Sequence, residues 1–595
     1  MSERENTQFL RRSLCIGVFQ VCLILILLGR MYYLQIIEGP YYQLLAEGNR
    51  IATRPLVPLR GHIYDRKGIP LSHNETSFRV VLLTDKRDEL FDTLETLATL
   101  IPLTEEEKES ALKVVRRKRG LDSVIVKDNL TWAEVSTIEL HSSDLPGLSV
   151  EVGSARTYPE HLKGAHLLGY VSSPSEQEQE IDPLLTIPGL KVGKGGIEKN
   201  FDTRLRGTPG HSAFEVNSQR KVVRELHQNP SLPGEDIHLT IDSELQSYAQ
   251  EVLSSHDSGA AVVIDIHNGD ILAMVSNPSF DPNLFPQGIG HKDWDELRDN
   301  PFVPMTNKAI SGRYAPGSTV KLFVALAALK AGLIDKDTSI YCPGFVSVGD
   351  HKFHCMHSHG SVNVTRAIAE SCDVFFYEIG KKMGIDLMSS VFQDLGIGEG
   401  GLEGFPQVKK GLVPTKEWKQ QNKHQKWTVS DTIMTSIGQG FMLSTPLELS
   451  VTMARLLSGK RLTPRLEGKG ETSFEDMDYD RSHLDIILEA AQQVANSPNG
   501  TAYRNRIFQE GYEMAGKTGT SQVRRITMEQ RKAGMTKTHH LAWKFREHGL
   551  FVGYAPIHAP RYAIAVVIEH AGGSGSAVQV ARDILLKAQL IEKGQ

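Results

Sequence analysis

"YAPGSTVKLFVALAALKAG", Tyr314 to Gly332, is the stretch whose reading decides the fold. Pro316-Gly317 breaks the chain, Ser318 follows in a first helical turn, and the apolar run from Leu322 to Leu329 predicts a buried helix that stops at Gly332. Ser318 and Lys321 are three apart, so they share one helical face. At a helix start the free backbone N–H groups and the helix dipole favour a developing anion. A neutral lysine beside a serine can take the serine's proton. Taken alone, this pair reads equally well as a helix cap.

Two further stretches change its weight. "ESCDVFFYEIG" (Glu370 to Gly380) puts Ser371 two before Asp373, and "AGKTGTSQV" (Ala515 to Val523) holds Lys517-Thr518-Gly519-Thr520. Ser-x-x-Lys, then Ser-x-polar, then Lys-Thr-Gly, in that order along one chain, is a recognised set for serine acyl transfer. The surroundings agree. "AAVVIDIHNGDILAMVS" (Ala260 to Ser276) is two apolar runs about Asn268-Gly269, a hairpin signal. "GLFVGYAPIHAPRYAIAVVIEH" (Gly549 to His570) is a second hairpin, and "AVQVARDILLKAQLI" (Ala577 to Ile591) a closing amphipathic helix. Strands at both ends with helices between predict one α/β domain whose first and last strands share an antiparallel sheet.

The first half of the 595 residues reads differently. After Arg11-Arg12, the apolar run Ser13 to Gly29, extended through Arg30 to Ile37, is long enough to span a bilayer, with Arg30 snorkelling and tyrosines at the interface. No small-residue cleavage site follows, so the segment reads as a retained anchor. The double arginine puts the N-terminus in the cytoplasm and the chain beyond residue 40 outside. "RGHIYDRKGIPLS" (Arg60 to Ser72) predicts strand, turn and strand. "TEEEKESALKVVRRKRG" (Thr104 to Gly120) predicts a charged helix. The glycine-rich "GKGGIEKNFDTRLRGTPG" (Gly193 to Gly210) lacks the strand-to-helix context of a phosphate loop. "NPSLPGED" (Asn229 to Asp236) is a domain break. The boundaries expected are a cytoplasmic tail over 1–12, a transmembrane helix over 13–37, a pedestal over 38–235 and a catalytic domain over 236–595. The net charge of -5 gives no reason to expect nucleic acid as a partner. The basic stretch between Arg524 and Arg546 reads as a solvated loop.

Of five cysteines, Cys15 and Cys22 fall in the anchor and read as small apolar residues. The other three gather about "CMHSHG" (Cys355 to Gly360). Cys342, Cys355, His359 and Cys372 are together the ligand set of a structural zinc site, on a spacing that matches no standard finger. Buried free cysteines, or one disulfide with an odd thiol, are the alternatives. His351, His354 and His357 are competing ligands or exposed loop residues.

The three motifs, with "RGHIYDRKGIPLS", "ARTYPEHLKGAHLLGYV", "LTIDSELQ" and "GQGFMLSTPLEL", resemble the class B penicillin-binding proteins over nearly the whole chain. The resemblance implies an α/β chain: a single transmembrane helix, an α+β pedestal or dimerisation-like domain, and a serine β-lactamase-like transpeptidase domain with an antiparallel sheet and a helical subdomain. Asp373 stands where division-specific relatives usually carry Asn, as in the elongation branch. The implied activity is peptidoglycan D,D-transpeptidation during elongation and shape maintenance, with a possible D,D-carboxypeptidase side reaction. The implied roles are Ser318 as nucleophile, Lys321 as base, and Ser371, beside Asp373, as proton relay. Lys517, Thr518 and Thr520, the last two about Gly519, hold the terminal carboxylate, and the N–H groups of Ser318 and Thr520 form an oxyanion hole. β-Lactams would acylate Ser318. Some relatives of the elongation branch bind zinc near the second motif. The resemblance also implies a SEDS-family glycan polymerase and other elongation-machinery membrane proteins as partners, at the bacterial cytoplasmic membrane with the catalytic domain outside. Competing readings are a division transpeptidase, a β-lactamase or carboxypeptidase, and a non-enzymatic β-lactam sensor or wall scaffold. The second would have to explain the long N-terminal region and lacks a recognisable deacylating Glu motif.

Overall fold

The computed structural model describes residues 3–40, 51–83, 87–104, 107–109, 111–112, 123–216, 222–402, 405, 407–468, 470, 472–524 and 541–594. The helix expected over 104–120 and the loop expected over 524–546 lie largely outside them. Helix α1 (Glu3–Tyr32) starts ten residues before the expected apolar run and ends in a wider turn, Tyr33–Ile37. Its stretch Leu10–Ile37 is long and apolar enough to cross a membrane, and none of it is buried against protein. At a rise of ~1.5 Å per residue it outreaches a hydrocarbon core of ~30 Å. The Arg30 guanidinium lies 5.3 Å from the Tyr33 ring centre, its charge carried toward the end of the helix.

The pedestal contains β1 (Ile51–Leu56), β2 (Ile63–Tyr64), β3 (Pro70–Leu83), β4 (Ser123–Lys127), β5 (Leu148–Thr157), β6 (Gly210–Val216), β7 (Val222–Asn229) and β8 (Ile237–His238). One sheet runs β1-β6-β7; in the other, β3 pairs with β2, β4 and β5. The β2–β3 turn forms as expected because Gly68 takes φ +82 and the buried Asp65 carboxylate accepts from the N–H groups of Lys67 and Ile69, both at 2.8 Å. Val80, Leu82, Leu97, Val124 and Ile138 fill the core beneath. The glycine-rich run closes an ion-pair core. Glu198, fully buried, accepts from Arg60 Nε at 2.6 Å and Arg156 Nε at 2.8 Å. Gly196, at φ +51, lets its backbone close on that of Leu167.

β8 pairs parallel with β2, and Ser243, which opens α2 (Ser243–Ser254), donates its N–H and hydroxyl to Asp65 Oδ2. The catalytic sheet contains β9 (Gly259–Asp265), β10 (Ile271–Asn277) and three later strands. Between them run α3 (Lys321–Lys330), β11 (Ile340–Cys342), β12 (Phe345–Val348), β13 (His351–His354), β14 (Gly360–Val362), α4 (Val364–Ala369), α5 (Asp373–Met383), α6 (Val429–Ser436), α7 (Pro446–Ser458) and α8 (Arg481–Asn496). Then come β15 (Ala515–Ser521), β16 (His548–Ala555), β17 (Tyr562–Ile568) and α9 (Gly575–Glu592). The antiparallel order is β10-β9-β17-β16-β15, so first and last strands meet as the hairpin pattern requires. β9, β10 and β17 are buried at every position, because α2 and α9 pack together on the sheet while α7 packs against β9 and β17. β15 is left at the edge, facing the helical region.

Candidate active site and metal centre

The expected Ser318 helix starts later than the sequence suggests. Gly317–Val320 is a 3₁₀ turn, and the α-helix begins at Lys321. The turn is tight because it meets β15 backbone to backbone. Gly317 has φ +56, and a Cβ there would stand 2.6 Å from Thr520 O and 3.1 Å from Thr520 N. From the other side, a Cβ on Gly519 would stand 2.8 Å from Pro316 O. Ser318 remains half-buried.

Lys321 has no exposed side-chain surface. Its Nζ donates to Ser371 O at 2.9 Å, Ser371 Oγ at 3.2 Å and Asp373 Oδ1 at 2.6 Å, and lies 5.3 Å from the centre of the Phe376 ring. Ser371 reaches it from the turn between α4 and α5 at φ +57, a conformation a serine holds only when its surroundings enforce it. Asp373, first residue of α5, is thus the ion partner of Lys321 and sits where the helix dipole favours a carboxylate.

Lys517 is equally buried on β15, with long contacts to Thr518 O (3.2 Å) and Thr518 Oγ1 (3.4 Å). Burial pushes its ammonium well below the usual lysine value; the charge of Lys321 acts in the same sense and Asp373 opposes both. No ion pair within 4.0 Å serves Lys517 among the described residues. A carboxylate arriving beside Lys517 would supply the ion partner that the described residues withhold and would favour its charged form.

Three participants carry no sequence signal of their own. Thr501 Oγ1 lies 2.7 Å from Thr518 Oγ1, Gly438 O accepts from Gly317 N at 2.9 Å, and Gln439 Nε2 donates to Thr520 O at 2.9 Å. The last two come from "GQGFMLSTPLEL", whose composition marks no chemistry.

Cys342, Cys355, His359 and Cys372 also meet, their ligand atoms all within 4.8 Å of one another. Cys342 ends β11, paired with Gly360 of β14; Cys355 follows β13 and donates its N–H to Gly344 O. His359 Nδ1 lies 3.6 Å from Cys342 Sγ and 3.5 Å from Cys355 Sγ. A tetrahedral zinc with Zn–S of about 2.3 Å and Zn–N of about 2.0 Å sets its S···N edges near 3.5 Å, so spacing and donor set fit the metal. All three thiols are free, without a disulfide. A hydrogen bond from Cys372, with the N–H groups of Val374 and Asp373, holds the Cys355 thiol well below its usual value; the same bond and burial push Cys372 up. Asp373 N lies 3.2 Å from Cys355 Sγ, so the cluster touches the second motif directly. His351, His354 and His357 stand outside it.

Residues 259–586 match the family model of the penicillin-binding protein transpeptidase domain, and residues 55–239 that of the penicillin-binding protein dimerisation domain. The chain is 35% identical over 596 residues to the peptidoglycan D,D-transpeptidase MrdA of Escherichia coli K12, covering 96% of this chain and 93% of that one. It superposes with a TM-score of 0.80 on penicillin-binding protein 2 of Helicobacter pylori solved in complex with MreC, at 29% identity over 91% of this chain and 99% of the other. It also superposes, with a TM-score of 0.69 and 25% identity over 97% of this chain and 98% of the other, on a chain of a peptidoglycan synthase complex solved for the coordination of polymerization and crosslinking.

Proposed function

Given that the chain belongs to the penicillin-binding proteins and is a peptidoglycan D,D-transpeptidase of cell-wall elongation, we propose that Ser318 is its acylated nucleophile and that Lys321, Ser371 and Lys517 move its protons and hold its substrate. The D-Ala-D-Ala end of a stem peptide lies along β15, its carboxylate on Lys517, Thr518 and Thr520. Ser318 Oγ attacks the penultimate carbonyl while Lys321, acting as the neutral amine, takes the hydroxyl proton and becomes the ammonium that Asp373 pairs, and the N–H groups of Ser318 and Thr520 receive the oxyanion. The amide C–N bond breaks, Ser371 relays a proton to the departing D-Ala amine, and an ester to Ser318 remains. An acceptor amine from a second stem peptide attacks that ester, loses its proton through the same relay and regenerates Ser318. Water in its place would give the carboxypeptidase side reaction. A β-lactam places its amide on the same atoms and stops at the ester.

The observation that carries this reading is the buried cluster of Lys321, Asp373, Ser371 and Lys517 against the Ser318 turn. It is tested with Ser318→Ala, which should lose all covalent labelling by a fluorescent penicillin and all cross-linking of donor and acceptor stem peptides while melting as the unmodified protein does. Label retained on another serine would end the assignment.

Cys342, Cys355, Cys372 and His359 Nδ1 would hold one zinc ion, which supplies no reaction step. When bound, it would brace the β11–β14 loops to the turn carrying Ser371. Arg11-Arg12 supports a cytoplasmic N-terminus and an external catalytic domain. The MreC complex and the synthase complex among the structural relatives support docking to elongation-machinery membrane proteins, including a SEDS-family polymerase, through α1 and the pedestal.

A further inference from the structure

The oxyanion hole invoked above has its two donors on different elements: Ser318 N–H on the turn before α3 and Thr520 N–H on β15. Their separation decides whether both can reach one oxygen, and no short run of chain fixes it. The loop after α6 spans the gap. Gly438 O accepts from Gly317 N at 2.9 Å, one residue before Ser318, and the next side chain, Gln439, donates Nε2 to Thr520 O at 2.9 Å. The loop is itself held. Gly438 N and Gln439 N donate back to Thr435 O and Met434 O, both at 2.9 Å, and Gly438 and Gly440 take φ +69 and +78. Gln439 is 7% exposed, so its amide has little room to turn away.

In an extended strand the N–H and C=O of one residue point to the same side. At Thr520 both N and O lie close to the Gly317 position, at 3.1 and 2.6 Å from a Cβ built there. Gln439 holds that carbonyl, and with it the whole Thr520 peptide, in place from the loop side.

We propose that Gln439 is a positioning residue for the oxyanion hole: it fixes the Thr520 peptide, and with it the Thr520 N–H, against the Ser318 turn. The proposal rests on the assignment of Ser318 and Thr520 given above. Gln439 acts through Thr520, and its effect is read in the acylation step.

The test uses the full-length protein and a chromogenic penicillin. Gln439→Ala should slow the acylation step about hundredfold, as loss of an oxyanion-hole support does, with the pre-acylation constant within about twofold of the unmodified protein. Gln439→Glu supplies its own control. Ionised, its carboxylate faces the Thr520 carbonyl and repels it; protonated, it donates as the amide did. Acylation by this variant should therefore recover as pH falls from 8 toward 5, relative to the unmodified protein at each pH. Parallel pH profiles, or full-rate acylation by Gln439→Ala, would overturn the inference even if either variant melted early. Those results leave the Ser318 assignment standing, whereas label on Ser318→Ala removes the assignment itself.

Discussion

Replacing Gly519 with alanine should slow acylation without unfolding the protein. A Cβ on Gly519 would lie 2.8 Å from Pro316 O and 2.8 Å from Thr319 Cγ2, both in or beside the nucleophile turn, and 3.3 Å from Leu550 Cβ. The extended backbone at Gly519 accepts alanine without dihedral strain, so the whole effect is steric. To restore ordinary contact, β15 and the turn must separate by about half an ångström, in an interior too dense to absorb the shift elsewhere. Overpacking of this kind costs about 1–3 kcal/mol, and the lost flexibility of the unfolded glycine returns about 0.5 kcal/mol of that. A misplacement of about 1 Å costs about hundredfold in rate, so half of it should cost about tenfold in penicillin acylation. The assay is the acylation rate constant beside a melting curve for the same preparation. Gly519→Ala acylating at the unmodified rate would refute the claim that this contact sets the spacing between strand and nucleophile. So would a rate loss matched by the unfolded fraction.

If Cys342, Cys355, His359 and Cys372 hold zinc, purified protein should carry about one zinc per chain; Cys342→Ser should lower metal content, melting temperature and acylation rate together, and metal-free protein with unchanged melting would refute the site. Burial pulls His166 from 6.5 to about 4, with the charge of Lys308 acting in the same sense and the hydrogen bond from its Nε2 to Pro304 O opposing both. A histidine depressed in the folded state contributes stability in full above pH 6.5 and loses it as pH falls toward 4, here about 3 kcal/mol. His166→Gln should flatten that part of the pH–stability curve, and an unchanged curve would count against it. A reporter fused after Gln595 should be active only if it works outside the cytoplasm; cytoplasmic activity would overturn the orientation.

What was legible in the sequence was local. Asn268-Gly269 and the apolar runs beside it specify a hairpin through short-range sterics, and the same holds for the β2–β3 turn and α9. The three motifs were legible because acyl transfer needs those residue types in that order. The cysteine and histidine quartet was legible because thiols are rare in this chain. The pairings were not. Lys321 with Asp373, Glu198 between Arg60 and Arg156, and Gln439 with Thr520 are contacts made by folding, between residues 42 to 138 apart in the chain. No period or spacing encodes them. The 3₁₀ start of the Ser318 helix was hidden for the same reason: the close approach of Thr520 tightens the turn, and Thr520 lies far along the chain.

The parallel pairing of β8 with β2 has a mechanical meaning. The chain leaves the pedestal as a strand of the pedestal's own sheet, and Arg204 then grips Glu235 and Glu467 at once, with four N–O contacts of 2.8 to 2.9 Å. Such a junction is a weld, without a swivel. The line of contact continues from Asp65 to Ser243 at the start of α2, and from α2 to the sheet whose far edge is β15. The contacts from anchor side to catalytic strand are thus continuous, strand to helix to sheet, with no flexible linker between them among the described residues.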